Sequence, residues 1–254
     1  MHPFIYRLIR VYQKVEFEAG VNEPIQIRTR NPLLAGPRFL AEVLGRAGFN
    51  KYTRRWYRYD VNERIVEIPF LYRTLALPLD SKVLEFGCNR SKVGIELASL
   101  GYRVTGVDLL PYKYTHRNFE FRRGNFLGLT CTPESFDAIT AISAVEHSGL
   151  GFYGDAGDPD GDTKVMDRFF EILRPGGLLV LTVPFGLAAL NNFTRIYDGQ
   201  SLATLLRRFT IEQEEYYLRD AQGSEWNRAT KDQTAAAGFG CGVACILGRK
   251  PAGI

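Results

Sequence analysis

Gly87 and Asp108 each close an apolar run, and 21 residues separate them in SKVLEFGCNRSKVGIELASLGYRVTGVDLL, residues 81–110. Glycine lets a backbone approach a ligand closely, and the start of a helix just beyond it adds free N–H donors. A carboxylate at the end of the next strand can accept two hydrogen bonds from a ribose diol, as in nucleotide-binding βαβ units. The pair reads as two ends of a nucleoside site. The plainer alternatives are that Asp108 caps a strand end and that Glu85 caps the helix after its own strand.

A second candidate is His147, one of three histidines, placed after an apolar run at 136–142. That is the carboxyl edge, where open α/β sheets bind ligands. With an ordinary pKa of about 6.5 it could take a proton from a reacting hydroxyl. Packing is the competing role. Beyond it, GLGFYGDAGDPDGD (149–162) brings together Asp155, Asp158, Asp160 and Asp162, which are hard-cation ligand types and leave Mg²⁺ open at Asp155 and Asp158. Counted from Asp158, however, the twelfth residue is Phe169 where an EF-hand needs Glu. The default is a solvated loop with no metal, in which Asp162 caps a helix over 163–173. Cys88 has no histidine nearby in sequence and reads as a small buried loop residue rather than a nucleophile. Lys51 to Tyr59 interleaves basic and aromatic side chains, suited either to stacking on sugar rings or bases or to packing with snorkelling arginines.

Regular alternation must position these groups. Strands are predicted at 82–87, 102–108, 118–122, 136–142 and 178–184. Val93, Leu97 and Leu100 recur at helical spacing between the first two, and Val165, Met166, Phe169, Phe170 and Leu173 do so before Arg174-Pro175-Gly176-Gly177. That is a doubly wound α/β pattern. Residues 209–218 and 240–248 read as two more strands with irregular chain and no helix between them, so an antiparallel pair is expected. Residues 1–79 are expected to form a helical N-terminal lid or substrate region, with Phe4, Ile5, Leu8 and Tyr12 on one face. The site domain spans 80–254.

The totals set bounds. At 254 residues, 45% hydrophobic and 24% charged, the chain is long enough for one sizeable core and ordinary in composition. The net charge of +4 is uneven. Residues 1–79 carry 13 Lys+Arg against 7 Asp+Glu, and the remainder carries 19 against 21. No apolar run approaches the roughly 18–20 residues that span a bilayer, although helix 4–14 could lie on a membrane surface. No signal peptide is read, and four scattered cysteines without a C-x-x-C fit a reducing cytoplasm.

Over about residues 80–250 the chain resembles the class I S-adenosylmethionine-dependent methyltransferases. The resemblance rests on Val83-Leu84-Glu85-Phe86-Gly87-Cys88, Gly106-Val107-Asp108, Phe136-Asp137-Ala138-Ile139, Val145-Glu146-His147 and Leu173-Arg174-Pro175-Gly176-Gly177-Leu178, in that order and spacing. It implies a seven-stranded sheet with its last strand antiparallel, and S-adenosylmethionine as cofactor. It also implies roles. Glu85 would help hold the methionine moiety, Gly87 and Cys88 form the loop under it, Asp108 binds the ribose and Leu109 packs on the adenine. Asn125, beside Phe126, stands where an Asp usually accepts from the adenine amino group. Ser143 and Ala144 would flank the transferred methyl. Where the family often shows G-x-G-x-G, this chain has Gly87-Cys88-Asn89-Arg90-Ser91.

The resemblance extends to bacterial methyltransferases of sugars and cell-surface glycans, notably in EHSGLGFYGD. The absence of an Asn/Asp-Pro-Pro-aromatic run after the fourth strand favours oxygen over nitrogen as acceptor. The expected acceptor is therefore a sugar or small-molecule hydroxyl, and nucleic acid is not the expected partner. Two other classes compete. A nicotinamide-dependent oxidoreductase would also use Asp108, but its pyrophosphate wants G-x-G-x-x-G. A non-catalytic methyltransferase-like subunit would account for the altered glycine loop.

Overall fold

Along the middle strands, alternate residues enter two different cores. Leu84, Ile139, Leu179, Leu181 and Ile246 pack on one side of a sheet, and Val83, Ala138, Val180, Cys245 and Leu247 on the other. This is the two-residue period of a sheet covered on both faces. The computed structural model describes residues 61–221 and 225–252. The helix expected at 4–14 and the basic-aromatic stretch 51–59 lie outside the described residues.

The described elements run α1 (Arg64–Thr74), β1 (Lys82–Phe86), α2 (Val93–Ser99), β2 (Arg103–Asp108), β3 (Phe119–Arg123), β4 (Phe136–Ile142), α3 (Gly161–Ile172), β5 (Leu173–Pro184), the short hairpin β6 (Ala189–Leu190) and β7 (Arg195–Ile196), α4 (Gly199–Leu205), β8 (Thr210–Arg219), β9 (Trp226–Ala229), α5 (Lys231–Ala235) and β10 (Gly242–Arg249). The main sheet has the order β3-β2-β1-β4-β5-β10-β8-β9. Pairs from β3 through β5 are parallel, and β10 is antiparallel to both β5 and β8. The expected antiparallel pair is present.

Three details differ from the sequence reading. The sheet has eight strands rather than seven, because β9 adds an edge strand of four residues, WNRA, that lacks an apolar alternation. The stretch read as free of helix contains α5, closed by a reciprocal capping box between Thr230 and Gln233. Finally, β5 starts at Leu173. Its register with β4 slips between Phe136/Leu173 and Ala138/Leu178, so Arg174 to Gly177 form a bulge inside the strand.

Val165, Met166, Phe169 and Ile172 of α3, with Leu202 and Leu205 of α4, cover one face. Phe70 and Leu71 of α1, with Val93, Leu97 and Ala98 of α2, cover the other. By contacts the chain divides into two units, residues 1–65 with 220–226 and residues 66–219 with 227–254. Every group discussed below belongs to the second. No helix among the described residues is long and apolar enough to cross a membrane.

Candidate functional site

The chain crosses from β1 outward to β2 and β3, then returns to β4 on the other side of β1. Strand order therefore reverses between β1 and β4, and the loops leaving their carboxyl ends must diverge there. Those loops carry Gly87 to Ser91 and Ser143 to Ser148.

Gly87 is held at φ +77°, and a Cβ at this position would lie 2.6 Å from Ala144 Cβ. Both facts demand glycine. The two loops approach closely here, and the Ala144 methyl takes the space that a Cβ at residue 87 would need. Cys88 is fully buried behind Gly87, its Sγ only 3.0 Å from where a Cβ on Gly106 would stand. Burial pushes its thiol well above the usual range. Its side chain is packing, as the plainer reading held, and only its backbone lines the loop.

Asp108 ends β2 with both oxygens oriented by backbone. Asn89 N–H donates to Oδ2 at 2.7 Å and Leu110 N–H to Oδ1 at 2.8 Å. The loops after β1 and β2 are thus clasped through one carboxylate. A carboxylate oxygen accepts more than one hydrogen bond, so the clasp leaves capacity for ribose hydroxyls. Leu109 is half-buried beside it. No helix fills residues 109–118. Instead Tyr112 packs tilted against Phe119 at 5.0 Å and donates from its hydroxyl to Ser91 O at 2.9 Å, closing the outer wall.

Glu85 lies deeper than expected. Its side chain is buried beneath the loop against the start of α2, where a Cβ on Gly94 would meet Oε2 at 2.2 Å. Oε2 has no hydrogen-bond partner among the described residues. Desolvation raises the carboxyl to about 7, opposed by hydrogen bonds from Ser91 and Gly94 and reinforced by Glu96 and Asp108. The folded value exceeds the unfolded one, so Glu85 supports the fold best when protonated. Its contribution is complete at low pH and declines as pH rises from about 4.5 through about 7. Glu85→Gln should therefore gain on the wild type with rising pH, by about 3 kcal/mol at pH 8 relative to pH 4.5. Paired thermal melts across that range check it, and parallel curves would refute it.

Asn125 and Phe126 are placed differently from the adenine-contact reading. Asn125 caps the 3₁₀ turn Phe126–Gly128, accepting from Leu127 N–H at 3.1 Å. Phe126 is buried, edge-on to Phe86 and tilted on Phe169, each at 5.3 Å. It supports the wall from behind. Ser143, at φ +42°, donates from Oγ to Glu67 Oε1 at 2.5 Å, while its N–H donates to Thr182 Oγ1 at 2.9 Å. Glu67 is a fully buried carboxylate on α1 that sequence reasoning missed. It shares the buried face of α1 with Phe70 and Leu71, and a charge on that face was the available signal.

His147 ends a 3₁₀ turn, Val145–His147. Its Nδ1 lies 2.6 Å from Phe193 O, a carbonyl that can only accept, so Nδ1 carries a proton. The buried Glu146 carboxylate stands 3.7 Å from Nε2 and would favour an imidazolium formed there. Arg195, which sequence reasoning also missed, is buried on β7 and staples the following loop. Its guanidinium donates to Ser148 O at 2.6 Å, Glu146 O at 3.3 Å and Pro159 O at 2.9 Å, with Asp162 Oδ2 3.5 Å from Nε. Asp162 is accordingly not the helix cap. It is buried and accepts from Tyr197 OH at 2.8 Å, while Asp160 occupies the cap position without a side-chain bond. Asp155 accepts from Gly149 N–H at 2.6 Å, and Asp158 faces Lys164 Nζ at 2.5 Å. Among the described residues no three His, Cys, Asp or Glu side chains gather as a metal site.

Solved structures share this fold. Burkholderia thailandensis 1,6-didemethyltoxoflavin-N1-methyltransferase, solved with S-adenosylhomocysteine, is 17% identical with a TM-score of 0.54, over 90% of this chain and 94% of that one. The chain has the class I methyltransferase fold. A [4+2]-cyclase, SpnF, shares that methyltransferase fold with this chain at a TM-score of 0.53 and 16% identity, over 74% of this chain and 80% of the cyclase. In sequence, an S-adenosyl-L-methionine-dependent Diels-Alderase of Talaromyces variabilis is 31% identical over 109 residues, 42% of this chain and 37% of that protein. The chain spans about two-fifths of the length of the curated relatives it matches. Residues 129–235 match a family described as Caenorhabditis protein of unknown function, DUF268.

Proposed function

We propose that the chain binds S-adenosylmethionine in the crevice between β1 and β4 and transfers a methyl group to a hydroxyl of a sugar, glycan or small molecule. The observation that carries this is the clasp of Asn89 and Leu110 on Asp108, beside the point where Gly87 lets the loops after β1 and β4 meet. The residues fit the nucleoside. Asp108 has acceptor capacity for the ribose, and Gly87 and Ala144 bring the two loops together at its side.

When bound, the sulfonium supplies an electrophilic methyl. The protein's task is then alignment and exclusion of water. Ala144 and the 3₁₀ turn after it place His147 at the same edge, where Nε2 takes the hydroxyl proton and Glu146 stabilises the resulting charge. All four cysteines are thiols, which supports a reducing, cytoplasmic setting.

The Diels-Alderase relative favours a second reading, in which the cofactor shapes a cycloaddition site and is not consumed. Product stoichiometry separates the two. Methyl transfer releases one S-adenosylhomocysteine per product, measurable by mass spectrometry over a panel of glycosides and phenols. Turnover of a polyene without that release would establish the second reading and overturn the first.

A further inference from the structure

Ser143 is the first residue after β4, at the carboxyl edge of the sheet, and its φ of +42° is one that a side chain rarely adopts. Asp80 and Glu134, the other non-glycine residues with positive φ among those described, stand in the turns before β1 and β4, at the opposite edge. Strain of this kind persists only where neighbours over-determine it. Two buried neighbours do so here. The Ser143 N–H donates to Thr182 O at 3.1 Å and to Thr182 Oγ1 at 2.9 Å, and its Oγ donates to Glu67 Oε1 at 2.5 Å. Thr182 and Glu67 are both fully buried.

The consequence passes directly to the next residue. Ala144 puts its methyl where Gly87 must do without a Cβ, and its carbonyl accepts from His147 N–H at 3.3 Å in the turn that carries the histidine. Ser143 is therefore the bend that delivers the loop after β4 to the loop after β1. Glu67 is unexpected where it stands. It shares the buried face of α1 with Phe70 and Leu71, and an apolar side chain would pack there without the cost of burying a carboxylate.

We propose that Glu67 is a positioning residue of the nucleoside site, acting through Ser143: it locks the left-handed bend and so holds the loop after β4 against Gly87 in the form that S-adenosylmethionine binds. This rests on the nucleoside reading and adds to it a residue from α1. Holding the loop in its bound form removes the cost of ordering it when the ligand arrives. The bond asks only for an acceptor at Oε1. Glutamine keeps one in its amide oxygen, and alanine removes it.

The test compares the full chain with Glu67→Ala, Ser143→Ala, the double variant and Glu67→Gln. Phe70→Leu serves as a packing control on the same helix face. Calorimetry measures S-adenosylhomocysteine affinity well below each melting temperature. Each single alanine should weaken binding tenfold or more, the double variant should be within threefold of the weaker single, and Glu67→Gln should be within threefold of wild type. Phe70→Leu should melt earlier and bind as wild type does. Hydrogen exchange of the ligand-free chain reads the same bond without the cofactor. The amides of Ser143, His147 and Ser148 should exchange at least tenfold faster in both alanine variants and regain protection in Glu67→Gln. Losses that multiply in the double variant would overturn the proposal, as would affinity indifferent to both alanines. So would a Phe70→Leu loss as large as that of Glu67→Ala, or no rescue by glutamine. If wild type failed to bind S-adenosylhomocysteine, the nucleoside reading would fall, while the exchange rates would still show whether Glu67 holds the bend.

Discussion

His147→Asn should lower methyl transfer by about 10²- to 10⁴-fold, the usual range for a general base, and leave S-adenosylhomocysteine affinity within about threefold. Asparagine is the informative replacement. Its side-chain N–H₂ can reach the position of Nδ1 and keep the hydrogen bond to Phe193 O, now 2.6 Å, so the loop is retained. What disappears is the lone pair on Nε2 and the response of Glu146, 3.7 Å away, to a positive ring. The rate profile should therefore lose its acid limb, a change that packing alone would not produce. A variant that turns over at the wild-type rate with an unchanged profile would show that His147 only packs.

Arg195→Met should destabilise the fold by about 3–5 kcal/mol, the range for removing one partner from a buried ionic arrangement. For a domain of this size that is a fall in Tm of roughly 10 °C. Methionine fills much of the volume but donates nothing. The carbonyls of Glu146, Ser148 and Pro159 lose their donor together, and buried Asp162 loses the cation 3.5 Å away. Tyr197 and the Thr163 N–H still support Asp162, so the injury falls mainly on the 146–160 loop. Lysine should restore little, because a single ammonium cannot fork toward three carbonyls. Calorimetric melting of Arg195→Met and Arg195→Lys measures this. A loss below about 1 kcal/mol in Arg195→Met would mean that the loop holds itself.

The parallel half of the sheet was legible because its signals are local. Val83 to Gly87 and Arg103 to Asp108 are apolar runs ending in residues whose chemistry marks a strand end. The antiparallel pairing of β8 with β10 was expected because no helix was read between them, and it is present although the five-residue α5 lies there. What escaped was of two kinds. Thr230 and Gln233 carried a readable capping box, and α5 was missed only because the surrounding chain is polar. Glu67, Arg195 and Phe193 became site residues only through pairings at distance, 76 residues to Ser143, 47 to Ser148 and 46 to His147. No period or spacing announces such contacts.

The same limit applies within the site. Asp108 was legible from its distance to Gly87, but its bonds to Asn89 and Leu110 depend on the two loops meeting. Asn125 was read as either an adenine contact or a turn residue, and its bond to Leu127 makes it a cap. Glu85 was placed beside the cofactor, whereas its tilt toward Gly94 sets it under the loop. Strand order fixes which loops share an edge, and side-chain packing decides which of their atoms face the crevice.

The proposed chemistry requires a nucleoside bound through Asp108. The direct measurement is calorimetric titration of the full chain with S-adenosylhomocysteine, with NAD⁺ in parallel and Asp108→Ala as the comparison. Micromolar binding of S-adenosylhomocysteine alone, weakened at least 100-fold in Asp108→Ala while the variant still melts cooperatively, is the expected result. Binding of NAD⁺ in its place, binding of neither, or S-adenosylhomocysteine affinity untouched by Asp108→Ala would contradict it.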